Sequence, residues 1–394
     1  MILVDFGRME LLGPLVEWLL RGSFEGTMRS ERVVRDVAAR YGHRVEVTFL
    51  ADSALLTVDG RAYSYAREPG VPPLNQVTAM KRLLSDMSHL TETQAAARLS
   101  EIAAMPPRWN KAWQLAGLVL FTVGFGISVQ ATWQQVGVSA LTGLVVGLLV
   151  ISGRGRLIEP FVASVLVSVV VLLLYEHGWL DGGPIQLIVP ALFYFIPGDA
   201  ISAAALELAL NRMTAGAARL VYSIIVLLVL AFGALVATVL LQLPPSVLFD
   251  VSVPGNLGPF EVWAGWVLFG LGVMFVFQMA PRDFPWALGL ILLTAAAAEL
   301  ATRALGDPFG TFTGAVLMTT VALRLGRKPA LPPAYVLYLG AFYVLTPGSH
   351  GLRGLESWIG GHPIEGVGGV TDMVGLLIAI AVGMLVGAAL TRRG

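Results

Sequence analysis

Phe193-Tyr194-Phe195-Ile196-Pro197-Gly198-Asp199 and Tyr343-Val344-Leu345-Thr346-Pro347-Gly348-Ser349-His350 decide how this chain of 394 residues is read. Each is a Pro-Gly pair inside an apolar run, 184–210 and 334–356, and both runs are long enough to cross a bilayer. Proline removes a backbone donor and frees the carbonyl four residues earlier, and the adjacent glycine relaxes the backbone further. In lipid such a break is tolerated only where it faces protein or a water-filled cavity. The breaks stand 150 residues apart. The same shift lays Gly233-Ala234-Leu235-Val236 on Gly383-Met384-Leu385-Val386 and Gly216 on Gly366.

Outward from the breaks, apolar runs fall at 112–130, 134–152, 157–175, 184–210, 217–241, 260–280, 285–304, 309–325, 334–356 and 368–390. The shift superposes the first five on the last five. Five is odd, so the second copy enters the membrane in the opposite sense and the two breaks are expected to meet near the bilayer centre. Inverted repeats of this kind mark secondary transporters with a midplane site. The expected fold class is an α-helical polytopic membrane protein, ten spans as two inverted five-helix repeats with broken helices, plus a small N-terminal α/β soluble domain. The expected boundaries are a cytoplasmic domain over 1–111, a first repeat over 112–241, an extracytoplasmic linker over 242–259 and a second repeat over 260–394.

Composition agrees with this division. The chain is 56% hydrophobic and 13% charged, with a mean hydropathy of +0.75. Residues 1–111 hold 14 Lys/Arg and 13 Asp/Glu, whereas 112–394 hold only 12 and 13. With 1–111 inside, inner loops carry Arg108, Lys111, Arg154, Arg156, Arg212, Arg282, Arg324, Arg327, Lys328, Arg392 and Arg393, and outer loops only Arg303 and Arg353. That asymmetry fits the positive-inside rule and puts both termini in the cytoplasm. Met1 to Glu10 contains Asp5 and Arg8 and lacks the cationic start of a signal peptide. Zero net charge argues against nucleic acid, and absence of Cys excludes disulfides, Fe–S and thiolate zinc sites. No Walker A sequence occurs, so direct ATP drive is not expected. No cofactor, metal or catalytic activity is expected, and a homo-oligomer is left open.

Within 1–111, Glu10 to Arg21 and Thr27 to Tyr41 read as amphipathic helices, the second stopped by Gly42. Alternation over Val45–Phe49, then Leu55–Val58, then Tyr63–Tyr65 predicts a three-stranded antiparallel sheet with turns at Asp52 and Asp59-Gly60. Two helices follow, Asn75–His89 and Thr91–Met105, the last opened by a Thr91/Gln94 capping box. The charged set Arg29, Glu31, Arg32, Arg35 and Asp36 reads as a solvated helix face, and His43 and His89 as surface or capping residues. Arg108, Trp109, Lys111 and Trp113 form a basic-aromatic anchor at the membrane surface.

The candidate transport residues gather at the breaks. Each break starts a half-helix whose free N–H groups and positive dipole end can hold a carboxylate. Pro197, Gly198, Asp199 and Ser202 on one side, and Thr346, Pro347, Gly348 and Ser349 on the other, are the expected substrate-binding residues. A charge at mid-span is a functional candidate by default. Asp199 is placed to meet a substrate ammonium or accept a coupling proton, or to cap the half-helix. Glu207, two turns on and nearer the cytoplasm, and His350, which titrates near neutrality, are the other proton-coupling candidates. Arg353 and Glu356, three apart on one helical face, are expected to pair with each other. Glu159 and Glu299 are expected near interfaces, and Gly143/Gly147, Gly310/Gly314 and Gly383/Gly387 are helix-packing faces.

A soluble domain with Gly26-Thr27-Met28-Arg29-Ser30-Glu31, five spans holding Phe195-Ile196-Pro197-Gly198-Asp199 and Leu206-Glu207-Leu208, and five more with Thr346-Pro347-Gly348 resemble the threonine/serine exporter family. The resemblance covers nearly the whole chain. It implies export of threonine or serine from the bacterial cytoplasm by proton antiport. Some relatives place the repeats on separate chains and are linked to succinate export, which is the alternative within transport. Ser349 stands where a second carboxylate would be, an asymmetry that suits one zwitterion better than a dianion. A membrane-anchored hydrolase would need a nucleophile–base set in 1–111, and none is legible there. A channel or a ligand sensor would show no uphill, proton-coupled flux.

Overall fold

The structure is a computed structural model that describes residues 9–22, 26–68, 70–153, 158–345 and 347–392. Asp5, Arg8, Arg154, Arg156, Thr346 and Arg393 lie outside the described residues.

The N-terminal elements are α1 (Met9–Arg21), α2 (Thr27–Arg40), β1 (Val45–Phe49), β2 (Ser53–Val58), β3 (Arg61–Ala66), α3 (Leu74–Asp86) and α4 (Glu92–Ala103). The sheet is antiparallel in the order β1-β2-β3. Val47 faces Leu56 and Leu56 faces Tyr63, as the alternation predicts. Asp59 and Gly60 turn the β2–β3 hairpin with φ of 48° and 83°. Both central residues of a type I′ turn need that positive φ. Leu11, Leu12, Leu15 and Val16 of α1, Val34 and Ala38 of α2, and Val47, Ala54 and Leu56 of the sheet are buried together. Gly42, at φ 79°, ends α2, and the Thr91–Gln94 capping box opens α4. The helix expected over 75–89 stops at Asp86 and continues as a short 3-10 turn over Met87–His89.

Helices follow over α5 (Lys111–Val129), α6 (Trp133–Ser152), α7 (Glu159–Glu176), α8 (Ile185–Leu192), α9 (Gly198–Ala209) and α10 (Met213–Leu240). The order repeats as α11 (Pro259–Val276), α12 (Phe284–Leu305), α13 (Asp307–Gly326), α14 (Ala334–Tyr343), α15 (Pro347–Ile359) and α16 (Pro363–Arg392). Among the described residues seven helices are long and apolar enough to cross a membrane: α5, α6, α7, α10, α12, α13 and α16. Phe260–Val276 is a shorter apolar helix. The runs at 184–210 and 334–356 are not continuous spans; each divides at its Pro-Gly pair into two short helices, α8 with α9 and α14 with α15.

Packing between the halves is reciprocal. α9 lies on α16 while α15 lies on α10, and α8 touches α15 while α14 touches α9. The tightest meeting is α5 on α11. A Cβ on Gly124 would stand 2.6 Å from the Gly265 carbonyl oxygen, and one on Gly272 would stand 2.5 Å from the Phe121 nitrogen. Only residues without a side chain let two helix backbones approach this closely.

The N-terminal elements are docked on the helices. Thr78 Oγ1 of α3 donates to Asp283 Oδ2 at 2.8 Å, and Lys81 Nζ donates to the carbonyls of Lys328 (2.8 Å) and Leu331 (2.7 Å). Leu74 and Asn75 donate their backbone N–H groups to Phe277 and Gln278 carbonyls. Trp109 Nε1 donates to the Met279 carbonyl at 3.0 Å, so the aromatic anchor is also a structural clasp.

Candidate functional site

Pro197 ends the irregular turn after α8, and the Ile201 N–H bonds to its carbonyl at 2.9 Å, starting α9. Pro347 is the first residue of α15 in the second half. The two starts touch. A Cβ on Gly348 would overlap the Ile196 side chain and lie 3.7 Å from Gly198 Cα. One helical turn earlier in each half, Phe193 and Tyr343 meet edge to face with centroids 5.4 Å apart. Phe121, Phe125 and Phe269 complete an apolar wall around that pair. Glycine is required at 348 because the opposing turn occupies the space a side chain would need.

Asp199 lies in the first turn of α9 and is partly exposed. Its Oδ1 accepts from the Ala200 N–H at 2.8 Å, and no side-chain cap of α9 forms. Among the described residues, Asp199 Oδ2 and the Ser202 hydroxyl are buried without a hydrogen-bond partner. Buried polar atoms are normally bonded, so these two, three residues apart on α9, are exceptions to that rule. Ser349 is buried at the start of α15. His350 lines a separate cavity of about 510 Å³ with Trp263, Trp266, Thr302, Asp307 and Thr311.

Deeper in α9, Glu207 does not reach an open interface. It is 2% exposed, its Oε2 stands 3.2 Å from Arg219 Nε of α10, and its Oε1 accepts the Thr27 N–H of α2 at 3.0 Å. Arg212 is one-third exposed and holds Glu31 of α2 at two points. Glu31 is therefore no part of a solvated face: it is 2% exposed and also accepts from the Phe49 N–H at 3.3 Å. The motifs at Gly26–Glu31 and Leu206–Leu208, far apart in sequence, thus form one contact.

The expected Arg353–Glu356 pair is not formed. Arg353 Nη1 reaches Asp250 Oδ2 at 3.3 Å, where both side chains keep some water, and Glu356 is fully buried with neither oxygen bonded among the described residues. Glu299 pairs with Arg303 at an exposed surface. His43, in the loop after α2, sits between Glu92 and Asp59. Arg219 escaped the sequence reading, although an arginine three residues into an apolar run, twelve after Glu207, was a visible signal.

Seven long apolar helices, two broken ones and unpartnered polar groups where the breaks meet define a multi-pass membrane protein of the transporter class. A family model, ThrE, described as "Putative threonine/serine exporter", matches residues 19–241, from the end of α1 through α10. The chain belongs to the threonine/serine exporter family. No curated protein and no solved structure matches it.

Proposed function

We propose that this chain is a secondary active exporter of threonine or serine, driven by proton antiport across a bacterial inner membrane, with both termini cytoplasmic. The carrying observation is the meeting of the two Pro-Gly breaks beside the unpartnered Asp199 Oδ2 and Ser202 hydroxyl. Asp199 faces the substrate ammonium, and Ser202 or Ser349 faces its hydroxyl. The carboxylate lies at the N-terminal ends of α9 and α15, where backbone N–H groups and helix dipoles favour an anion. Gly348 closes the site from the opposite half. His350 serves proton movement, and Glu207 a latch to the soluble domain.

Two inverted five-span repeats are supported by reciprocity. Phe193 and Tyr343 are related by the 150-residue shift and touch, as Gly198 and Gly348 do. Equivalent residues meet each other only on a two-fold axis. We assign residues 1–111 to a cytoplasmic domain, 112–241 and 260–394 to the repeats and 242–259 to an extracytoplasmic linker.

The test is uptake of labelled threonine into inverted vesicles with an imposed pH gradient, wild type beside Asp199→Asn. Accumulation that needs an acidic lumen and disappears in the variant is expected. Accumulation of succinate in place of threonine and serine would move the protein to dicarboxylate export.

A further inference from the structure

We infer that Glu356 carries the coupling proton, an assignment that rests on the proton-antiport function proposed above. Glu356 lies on α15, the half-helix that follows the second break, and is fully buried with both carboxyl oxygens unbonded among the described residues. The charged groups that act on it are Asp250 and Arg353, and these are already paired with each other at 3.3 Å.

On α15 itself His350 stands six residues earlier and lines the separate cavity, and the other elements bring nothing to replace the pair. α8 contributes no ionisable residue. α9 carries Asp199 and Glu207, and the Arg219 of α10 is paired with Glu207. α16 carries Glu365 and Asp372, both exposed. A carboxylate buried without a hydrogen bond or a counter-charge is far costlier than the neutral acid, so this site is built for the acid. Ionisable carboxyls inside membrane bundles are candidates for proton relays. Glu207 is the contrast: it is one position from Glu356 under the 150-residue shift, yet its two oxygens are engaged by Arg219 and the Thr27 N–H. Of the two buried glutamates on the half-helices, only Glu356 has no fixed partner to lose on taking a proton.

Accessible surface lies close by. Arg353, three residues earlier, and Asp250 are each 22% exposed, while Leu248 of the linker covers the end of α15 with its carbonyl against Gly360. In the assigned orientation that side is extracytoplasmic. The Glu356 carboxylate takes one proton from extracytoplasmic water past Asp250, and the acid returns that proton to cytoplasmic water when the site opens inward. No other bond changes.

The experiment uses the full chain in proteoliposomes, with wild type and Glu356→Gln each measured in two reactions. One is threonine accumulation driven by a pH gradient; the other is threonine counterflow at equal pH. The variant is expected to lose accumulation to the level seen without a gradient while keeping counterflow. Accumulation at the wild-type level in the variant, or loss of both reactions, would overturn the assignment. A wild type whose accumulation ignores the pH gradient would instead overturn proton antiport itself. As a second readout on the unmutated chain, a hydrophobic carbodiimide is expected to label Glu356 at mildly acidic pH and less at alkaline pH. Absence of that label sinks the proposal independently of any variant's folding.

Discussion

Glu31 and Arg212, 181 positions apart, form a two-point ion pair in which Nη1 donates to Oε1 at 3.0 Å and Nη2 to Oε2 at 2.7 Å. The carboxylate is 2% exposed and the guanidinium 33%. Removing one partner of a buried pair leaves an uncompensated charge. Arg212→Ala is expected to lower stability by about 2 kcal/mol, below the fully buried range because Arg212 is partly solvated. Arg212→Lys, which keeps the charge and loses the fork, should recover about half of that. Thermal unfolding of both purified variants in detergent measures the difference; equal midpoints for wild type and Arg212→Ala would refute the role.

Thr27 offers a cleaner cut. It is the first residue of α2, a position where proline is well tolerated because its N–H has no intrahelical partner. Here that N–H is bonded to Glu207. Thr27→Pro is therefore expected to cost about 1.5–3 kcal/mol through the lost bond to a charged acceptor, with the helix itself intact. Circular dichroism should stay constant while the unfolding midpoint falls.

Gly348→Ala is expected to abolish transport, because the added methyl overlaps Ile196 at the meeting of the breaks. Overpacking of this kind typically costs about 1–3 kcal/mol. Shortening the neighbour as well, Ile196→Ala with Gly348→Ala, should recover stability, since the clash is with a side chain rather than with backbone. A double-mutant cycle on stability reads the coupling, and additive effects would show that the contact is not made.

Arg219 and Glu207 are 4% and 3% exposed as a pair. Arg219→Gln alone is expected to destabilise by about 3–5 kcal/mol, whereas Arg219→Gln with Glu207→Gln should be considerably milder, since no lone charge is left buried. Unfolding of the three chains side by side checks the order.

Much of this architecture is legible from residues alone. Pro197-Gly198 and Pro347-Gly348 announce the broken helices because no tertiary contact restores a donor that proline lacks. Asp59-Gly60 and the Thr91–Gln94 box are local chemistry and stand where they were read. What was misread depends on partners distant in sequence. Arg219 stands near the start of α10, a helix otherwise apolar and long enough to cross a membrane, so one charge there does not interrupt the run. Glu31 was grouped with the exposed Arg32 and Asp36, yet it shares the buried face of Thr27, Val34 and Ala38 at helical spacing. Arg353 took Asp250 in place of its neighbour three residues on, a choice that spacing on one helix cannot reveal.

The N-terminal elements hold the two halves by different helices. α2 is fastened to Glu207 and Arg212 of the first, and α3 to Phe277, Gln278, Asp283 and Lys328 of the second. A stiff sheet-and-helix body tethered at two points limits how far those points can separate. If the exporter opens to the two sides by rocking of one half against the other, that motion must stretch or release one of these tethers. Turnover would then be governed by a brake that never touches the cargo, and its strength could drift in evolution without altering what the site selects.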